Sequence, residues 1–456
     1  MVKHFSIALI AFGLIGSLFI WSASVFAASL YEFPIPTVNS QPWGITLGPD
    51  GNFWFTENSA SKIGKITAGG AITEFSIPIY ASSQPWDITT GADGNLWFTE
   101  WGAGRIGKVT TAGVFTNFFI PTANCRPSGI ALGPDNNIWF AEWNGNKIGK
   151  VTPTGVFTEY TIPTPNSQPV GIASGPDGNL WFAESNSNKI GRITPTGTIS
   201  EFALPTFGSM PWNIVQGADG NLWFTENSGN QIGRITPTGT ITEFPIATAG
   251  SNPWGITAGL DVAVWFTESN GNKIGRMLPT GILTEYPITT TAFSNPYDLV
   301  MGSNGNIWFV EAFGNKIGRL LTPPTITLTT SVNPVMIGQG VTFKAQVGAF
   351  VGQPTGTTTF RDNGVSIPGC INVALIAGQA MCAVTLAEGT HPITALYNGD
   401  ANYDATTSMV LNQIVFVPAS VPKEVPEADT LVMLASGMGG LVTWLWWKRK
   451  SVGTFN

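Results

Sequence analysis

Proton-transfer chemistry is limited in this chain by a shortage of histidine. The 456 residues include only two histidines, His4 and His391. Imidazole is the side chain whose ordinary pKa lies near neutral pH, which makes it the usual general base. Both histidines lie outside the long repeat region described below, so that region contains no imidazole that could take a proton from a substrate.

Aromatic side chains recur at two places in the repeats, and they suit binding better than proton transfer. One set follows a proline and consists of Trp43, Trp86, Trp212, Trp254 and Tyr297. A second set consists of Trp101, Trp143 and Phe313, and the polar residues beside the two sets are Asp87, Arg126, Asn213 and Asp298. Aromatic faces with a few polar neighbours suit sugars, planar small molecules or a loop of another protein. The alternative is that a tryptophan after proline packs between neighbouring repeats.

Acidic and basic residues also recur with the repeats. Each repeat has a glutamate after its Trp-Phe pair, and these are Glu57, Glu100, Glu142, Glu184, Glu226, Glu268 and Glu311. A basic residue follows a few positions later, at Lys62, Arg105, Lys147, Lys189, Lys273 and Lys316, with Gln231 as the exception. A repeated structural pairing and a ring of carboxylates around a cation are both consistent with this pattern. Asp-Gly pairs such as Asp50-Gly51 indicate hairpin turns first and calcium ligands second.

The elements that carry these residues are seven repeats. Trp-Phe recurs at Trp54, Trp97, Trp139, Trp181, Trp223, Trp265 and Trp308, at intervals of 42 or 43 residues. A period of about 40–45 residues is typical of propeller blades with four strands each. We therefore predict an all-β protein with a seven-bladed β-propeller over residues 29–322. The seventh repeat lacks a fourth strand, and residues 29–36 are predicted to supply it and to close the ring.

Strand direction predicts where the aromatic residues meet. The turn before the first strand of a blade and the turn after its second strand lie at the same end of the propeller. Both aromatic sets fall in these turns, so we expect one aromatic mouth at that end. Its predicted binding residues are Trp43, Trp86, Trp101, Arg126, Trp143, Trp212, Trp254, Tyr297 and Asp298.

A second domain follows the repeats. Residues 323–416 alternate Thr and Val, and "HPITALYNGDANY" resembles a bacterial Ig-like domain, which implies a β-sandwich used as a spacer or adhesive unit. Cys370 and Cys382 are expected on neighbouring strands of a hairpin and are expected to form a disulfide in an oxidising compartment. Cys125 lies in the repeats and is expected to be a small buried residue. Residues 417–429 are interpreted as a linker.

Both ends of the chain carry export or anchoring features. Residues 1–28 combine Lys3, a short apolar run and a small-residue cleavage site, as in a secretory signal peptide. Residues 430–456 combine an apolar run long enough to span a membrane with Lys448-Arg449-Lys450. With Pro426-Glu427 before it, this end resembles a PEP-CTERM sorting tail, which implies an exosortase-type sorting enzyme as a partner. An ordinary single-pass membrane anchor is the alternative. We expect secretion across the inner membrane and a place in the cell envelope.

Composition excludes several classes of protein. Charged residues make up 11% of the chain and the net charge is −7. These values leave no basic surface for nucleic acid and argue against coiled coils. The sequence contains no zinc-ligand spacing, nucleotide-binding loop or nucleophile elbow.

The repeat "PWGITLGPDGNFWFTENSASKIGKIT" and its six relatives resemble the virginiamycin B lyase family. The resemblance implies a seven-bladed propeller that opens a cyclic depsipeptide by elimination, with magnesium and a histidine base. Tyr297 occupies the position of the base histidine, and Trp254 that of a second histidine. Glu311 lies one residue before a metal-binding glutamate position, and Asn295 occupies the other. The resemblance therefore leaves Tyr297 and Glu311 as the catalytic candidates.

Three hypotheses about function follow. The first is an exported propeller that binds a glycan, small molecule or envelope protein at its aromatic mouth, with no catalytic cofactor. The second is an active lyase with magnesium as its cofactor. The third is a purely structural surface protein.

Overall fold

The structure is a computed structural model that describes residues 29–78, 82–260, 262–289, 292–321, 324–348, 353–400, 403 and 405–418. The ordered elements in these ranges are all β-strands, as the sequence predicts. Within these ranges there is no helix with the length and apolar character needed to cross a membrane. The predicted signal peptide 1–28 and sorting tail 430–456 lie outside the described residues, as does the predicted linker except for Val417 and Pro418.

The described part of the repeat region forms seven four-stranded sheets, which we call repeat sheets 1–7. The chain begins with β1 (Leu30–Pro34), which belongs to repeat sheet 7. Repeat sheets 1 to 3 are β2 (Pro42–Leu47), β3 (Phe53–Glu57), β4 (Lys62–Ile66), β5 (Ile72–Ser76); β6 (Pro85–Thr90), β7 (Leu96–Glu100), β8 (Arg105–Val109), β9 (Phe115–Phe119); and β10 (Pro127–Leu132), β11 (Ile138–Glu142), β12 (Lys147–Val151), β13 (Phe157–Thr161). Repeat sheets 4 and 5 are β14 (Pro169–Ser174), β15 (Leu180–Glu184), β16 (Lys189–Ile193), β17 (Ile199–Ala203); and β18 (Pro211–Gln216), β19 (Leu222–Glu226), β20 (Gln231–Ile235), β21 (Ile241–Pro245). Repeat sheets 6 and 7 are β22 (Pro253–Ala258), β23 (Val264–Glu268), β24 (Lys273–Met277), β25 (Leu283–Pro287); and β26 (Pro296–Met301), β27 (Ile307–Glu311), β28 (Lys316–Leu320) with β1.

Repeat sheet 7 joins the two ends of the repeat region. β1 pairs antiparallel with β28, with Leu30 opposite Leu320 and Pro34 opposite Lys316. This is the position that the sequence predicts for the strand before the first repeat. The first strands of successive repeat sheets contact one another in order, and β26 contacts β2. The arrangement is therefore propeller-like, with the first strands innermost.

The Trp-Phe pair forms the core between repeat sheets. Trp54 is fully buried and stacks on Phe75 of the outer strand with ring centroids 5.5 Å apart. Its indole Nε1 donates to Asp50 in the Asp-Gly turn, and the Lys65 ammonium lies 5.1 Å from its ring centroid. The aspartate of this turn thus orients a core tryptophan. Phe55 of the pair covers Gly64 on the next strand so closely that any side chain there would overlap its ring.

The Ig-like region contains two sheets around a separate core. One has the order β29-β31-β35, and the other β30-β38-β36-β32-β33, with β34 on β32 and β37 on β36. The strands are β29 (Thr325–Thr330), β30 (Val335–Met336), β31 (Gly340–Gly348), β32 (Thr357–Asp362), β33 (Val365–Ser366), β34 (Val373–Ala374), β35 (Gln379–Thr385), β36 (Gly389–Tyr397), β37 (Thr406–Thr407) and β38 (Leu411–Phe416).

A disulfide joins Cys370 and Cys382, whose Cα atoms are 5.5 Å apart. Cys382 lies on β35, whereas Cys370 lies in the loop after β33 and its carbonyl accepts from Phe360 of the other sheet. The expectation that the two cysteines share a hairpin is therefore wrong. The bridge connects the two sheets across their core, which the spacing of twelve residues alone does not reveal.

Candidate functional site

A β-bulge at the start of each innermost strand positions the predicted mouth residues. Pro42 pairs with Glu57 and Ile45 with Phe55, so Trp43 and Gly44 occupy the extra length on the inner strand. The same register shift occurs at the corresponding place in every repeat sheet. A bulge bends its strand and re-aims a side chain. In this fold it places the residue after the proline at the end of the ring where the first strands begin.

The aromatic residues that follow these prolines form one cluster. Trp43 lies at its centre, with its ring centroid 4.0 Å from Trp86, 5.2 Å from Tyr297 and 6.0 Å from Trp254. Trp254 stacks on Tyr297 at 4.5 Å and also lies 4.5 Å from Trp212. The five side chains are half-buried. The arrangement is consistent with both ligand binding and packing between repeats, because the rings pack on one another and still reach solvent.

The second aromatic set extends this cluster outward. Trp101 stacks on Trp86 at 4.4 Å, and Trp143 lies 5.3 Å from Trp101. The exposed guanidinium of Arg126 lies over Trp101, 5.5 Å from its centroid. Phe313 contacts Tyr297 from the other side at 6.4 Å. The structure therefore places the predicted binding residues in one continuous group.

A small cavity of about 40 Å³, open to solvent, lies within this group. Of the predicted binding residues, it is lined by Trp43, Trp86, Trp212, Trp254, Tyr297 and Asp298. Trp101, Arg126 and Trp143 lie outside the lining and form a rim. The remaining wall consists of Asp87, Asn213, Val170 and four glycines. We call this space the axial cavity.

Threonines on the second strands fix the backbone that carries the aromatic rings. Thr56 Oγ1 donates to the carbonyl of Trp86 in the next repeat sheet and accepts from the backbone N–H of Gly44. Thr225 and Thr267 donate in the same way to the carbonyls of Trp254 and Tyr297. The sequence predictions did not include these residues. Their signal is the residue between Trp-Phe and Glu, which is Thr in four repeats, Ala in two and Val in one.

Asp87 and Asp298 are the two carboxylic acids in the wall of the axial cavity. Asp298 Oδ2 accepts from the backbone N–H of Ile45, and Asp87 Oδ2 accepts from that of Ile130, each at 3.0 Å. Both bonds reach the neighbouring repeat sheet. Burial raises the pKa of both carboxyls, and the nearby charge of Asp87 raises the pKa of Asp298 further. The sequence predictions included Asp298 but treated Asp87 only as a neighbour.

Close backbone packing brings these carboxyls to the cavity wall. A Cβ atom at Gly44 would lie 2.9 Å from Cα of Asp87, and one at Gly255 would lie 2.7 Å from Cα of Asp298. Glycine is therefore required beside each aspartate. The two aspartates belong to the strands on either side of β2, the innermost strand of repeat sheet 1.

Neither catalytic candidate is placed as a general base. Tyr297 lines the axial cavity, but burial raises the pKa of its hydroxyl further above neutral pH. Glu311 is fully buried beneath a loop, and a Cβ at Gly314 would lie 2.7 Å from its Oε2. It is absent from the residues that line the axial cavity.

The residues present do not fit the magnesium that the resemblance implies. Glu311 is fully buried and does not line the axial cavity, so it presents no carboxylate to a metal ion there. The neighbouring positions hold Ala312 and Asn295, and no group of three or more His, Cys, Asp or Glu in the described residues could hold a metal ion. No step of chemistry is therefore derived through a metal.

The seven repeated glutamates form a second group of buried acids, apart from the axial cavity. All seven are fully buried. Lys62, directly opposite Glu57 in the ladder, instead pairs with Glu74 of the outer strand at 3.4 Å. Burial, followed by the Glu74 charge, raises the pKa of Glu57 to about 8. This site thus combines a neutral acid, a carboxylate and an ammonium, which is a structural role. Repeat sheets 3, 4, 6 and 7 have the same pair of lysine and outer glutamate, whereas repeat sheet 5 has Gln231 in place of the lysine.

Repeat sheet 2 departs from this pattern. Its outer strand has Asn117 where repeat sheet 1 has Glu74, and Arg105 pairs with the buried Glu100 at 2.7 Å. The direct acid–base pairing considered for all repeats is therefore seen in this sheet. The outer glutamates, which the sequence predictions omitted, are signalled by the recurring Thr-Glu followed by an aromatic residue.

Comparison with known proteins assigns both regions. The model of the Virginiamycin B lyase family matches residues 25–146 and 132–357, and that of the bacterial Ig-like domain (group 3) matches residues 328–415. A streptogramin B lyase structure is 41% identical, with 64% of this chain and 97% of that chain covered and a TM-score of 0.62.

Two further structures are informative. A catalytically inactive virginiamycin B lyase from Staphylococcus aureus, in which one histidine is replaced by alanine, was solved with quinupristin; it is 41% identical, covers 64% of this chain and 98% of its own, and has a TM-score of 0.61. Hydrazine synthase from Kuenenia stuttgartiensis is 14% identical, covers 63% of this chain and 97% of its own, and has a TM-score of 0.52. The second likeness concerns the fold alone.

Proposed function

The chain belongs to the virginiamycin B lyase family, and from that premise we propose that it is a binding member that holds a ligand in the axial cavity without the family's elimination reaction. The seven repeat sheets are taken as the blades of a seven-bladed propeller. The observation that carries the proposal is the axial cavity itself, which is lined by Trp43, Trp86, Trp212, Trp254 and Tyr297 and has no imidazole in its wall. Such a wall offers aromatic faces for contact with a ligand and little capacity for proton transfer near neutral pH.

The relative from Staphylococcus aureus supports the non-catalytic part of the proposal. Replacing one of its histidines by alanine gives a protein described as catalytically inactive. In this chain, the positions that resemble the family's histidines hold Tyr297 and Trp254. Burial raises the pKa of Tyr297, so at neutral pH even less of it is in the phenolate form that could accept a proton than in free tyrosine.

Quinupristin is the probe for a direct test. We expect it to quench the tryptophan fluorescence of this protein and to be recovered intact by mass spectrometry, with magnesium or with a chelator. The double variant Trp254→Ala with Tyr297→Ala should weaken binding at least tenfold, because it removes a stacked pair from the wall. The matched control is Phe207→Ala, which removes a side chain that is 98% exposed. Linearised quinupristin formed at a rate close to that of the Staphylococcus aureus enzyme would overturn the proposal.

The same mass spectrometry tests the second candidate function, an active magnesium-dependent lyase. The observation in its favour is the 41% identity over 97% of a streptogramin B lyase. It requires ring opening that a chelator abolishes. If quinupristin does not bind, a glycan array and a pull-down from envelope extract would identify a glycan or protein ligand. Empty results in all three would leave the purely structural hypothesis.

We also propose that the protein acts outside the cytoplasm. The signal-like residues 1–28, the tail 430–456 that resembles a PEP-CTERM signal, and the disulfide between Cys370 and Cys382 support this location. The Ig-like domain would act as a spacer between the propeller and the envelope. Cell fractionation, with and without an exosortase-type sorting enzyme, would test the location and the release of the tail.

A further inference from the structure

We propose that the ligand of the axial cavity carries an organic cation, such as a quaternary ammonium group. This inference rests on the proposed binding function and names the chemical class of the ligand. It follows from the composition of the cavity wall, where aromatic rings and carboxylic acids occur together.

The aromatic rings provide the first part of a cation site. Trp43 contacts both Trp86 and Tyr297 edge to face, and Trp254 stacks on Tyr297. Edge-to-face packing leaves ring faces turned in different directions around the same space. A cation over the face of tryptophan or tyrosine is attracted by the ring quadrupole, most strongly where water is excluded.

The two aspartates provide the second part. Asp87 and Asp298 are both in the wall, and each carboxyl accepts a backbone N–H from the neighbouring repeat sheet, which fixes its orientation. A carboxylate oxygen has a second lone pair, so these bonds do not exhaust its capacity to face a ligand. Among the described residues that line the cavity, none is Lys, Arg or His. The local charge is therefore negative or neutral and favours a positively charged ligand.

A cation already occupies the outer part of the same aromatic group. The guanidinium of Arg126 lies over the ring of Trp101, and Trp101 stacks on Trp86, which lines the cavity. At the rim, the cation that interacts with the ring of Trp101 is therefore a side chain of the protein itself. The rings that line the cavity share its wall with the two aspartates instead.

Choline and 3,3-dimethyl-1-butanol are suitable probes, because they have nearly the same shape and differ in charge. With the full-length protein at pH 8.5, we expect calorimetry and tryptophan fluorescence to show choline binding at least tenfold tighter than the alcohol. Asp298→Asn should weaken choline binding at least fivefold, and adding Asp87→Asn should abolish the preference. Each variant keeps one oxygen that can accept a backbone N–H. Asn213 already occupies the equivalent position in repeat sheet 5, where its Oδ1 accepts from Ile214, the next residue of its own strand, as Asp87 Oδ1 accepts from Ile88. Glu388→Gln, an exposed change in the Ig-like domain, is the control for net charge.

A peptide with trimethyllysine, tested beside choline, distinguishes a cation on a protein from a free small molecule. The inference is supported if choline binds more tightly than the alcohol, or if the trimethyllysine peptide binds and the aspartate variants weaken its binding. Equal binding of choline and the alcohol, or choline binding that the aspartate variants leave unchanged, would overturn it while leaving the proposed binding function intact. If a glycan binds and no cationic probe does, the inference is also overturned. Failure of every probe would instead count against the binding function itself.

Discussion

The carboxylate of Asp298 accepts a hydrogen bond of 3.0 Å from the backbone N–H of Ile45, which lies 253 residues earlier in the chain. The bond connects repeat sheet 7 to repeat sheet 1 at the wall of the axial cavity. On the opposite side of repeat sheet 1, Asp87 makes the equivalent bond to Ile130, from repeat sheet 2 to repeat sheet 3. One type of residue therefore both connects neighbouring sheets and supplies the acidic groups of the cavity.

This relationship predicts a difference between two substitutions at one position. Asp298→Ala leaves the partly buried N–H of Ile45 without its acceptor, and such a loss costs about 1–3 kcal/mol. Asp298→Asn keeps one acceptor oxygen, which can serve the N–H of Ile45 or that of Leu299, so it should cost less stability than Asp298→Ala. Urea unfolding followed by tryptophan fluorescence measures both. Equal destabilisation by the two variants would show that charge, and not the hydrogen bond, matters at this position.

The closing strand predicts a large loss of stability when it is removed. β1 pairs along its length with β28, and Phe33 stacks on the buried Trp308 at 5.6 Å. Deletion of residues 29–36 exposes the edge of β28 and one face of that core, so the melting temperature should fall sharply. Calorimetry is the measurement. An unchanged melting temperature would show that β1 does not hold the ring closed.

A point substitution separates side-chain packing from strand pairing. Phe33→Ala keeps the ladder but removes the ring that covers Trp308, and should cost about 2 kcal/mol, less than the ~3–5 of a fully buried phenylalanine. Phe207→Ala makes the same chemical change at an exposed position and should be close to neutral. If both cost the same, the contact of Phe33 with Trp308 contributes little.

Much of the fold could be predicted because the chain repeats a short pattern. The seven Trp-Phe pairs predict seven sheets, and the Asp-Gly turns predict hairpins within them. The order of the strands then fixes which turns share one end of the ring. That topology alone brings Trp43, Trp86 and Tyr297 together, although they are far apart in the sequence.

The remaining features depend on side-chain packing that the pattern does not contain. Lys62 lies opposite Glu57 in the ladder but pairs with Glu74, which lies opposite Gly64 on the outer strand. The inter-sheet disulfide and the acceptor role of Asp298 likewise depend on close approaches between elements distant in sequence. The sequence shows which residue types recur, but tertiary packing determines which of them pair with one another.

The buried glutamates predict that alkaline pH destabilises the propeller. Burial is the main cause that raises the pKa of Glu57, Glu142, Glu226, Glu268 and Glu311 to about 8 and that of Glu184 to about 7. In the unfolded chain these groups titrate near pH 4.3. Their contribution to stability is therefore fully present below that pH and is lost as pH rises through 7 to 8. The melting temperature should fall between pH 6 and pH 8. Above that range these groups are ionised in both states, so they should cause no further fall.

Glu226→Gln is the matched variant for this pH dependence. Position 231 holds glutamine instead of lysine. The charge of the outer Glu243 therefore raises the pKa of Glu226, and no lysine at position 231 lowers it. An amide cannot ionise, so the variant should lose less stability between pH 6 and pH 8 than the unchanged protein does. The measurement is the slope of melting temperature against pH. A slope identical to that of the unchanged protein would mean that Glu226 ionises normally in the folded state.

The neighbouring residues Cys125 and Gly104 lead to a prediction about two substitutions whose effects on stability should be coupled. Five repeat sheets have a serine that donates to the side-chain oxygen of an asparagine in the preceding sheet, as Ser167 does to Asn146 at 2.8 Å. At the junction of repeat sheets 2 and 3 the serine is replaced by the buried Cys125 and the asparagine by Gly104, and a Cβ at Gly104 would lie 3.8 Å from the sulfur. Burial raises the pKa of Cys125 to about 12, so the thiol stays neutral and unreactive in the folded protein.

Each single substitution at this junction should therefore be unfavourable, and the double substitution should not. Cys125→Ser alone buries a hydroxyl without the asparagine acceptor, at a cost of about 1–3 kcal/mol. Gly104→Asn is compatible with the backbone, because Asn146 has the same positive φ in the next repeat sheet, but it places an amide against a thiol. Together the two changes rebuild the Ser–Asn bond of the other sheets. A double-mutant cycle in urea should give a favourable coupling of about 1 kcal/mol or more, and simple additivity of the two single changes would show that the serine–asparagine pair does not act as a unit.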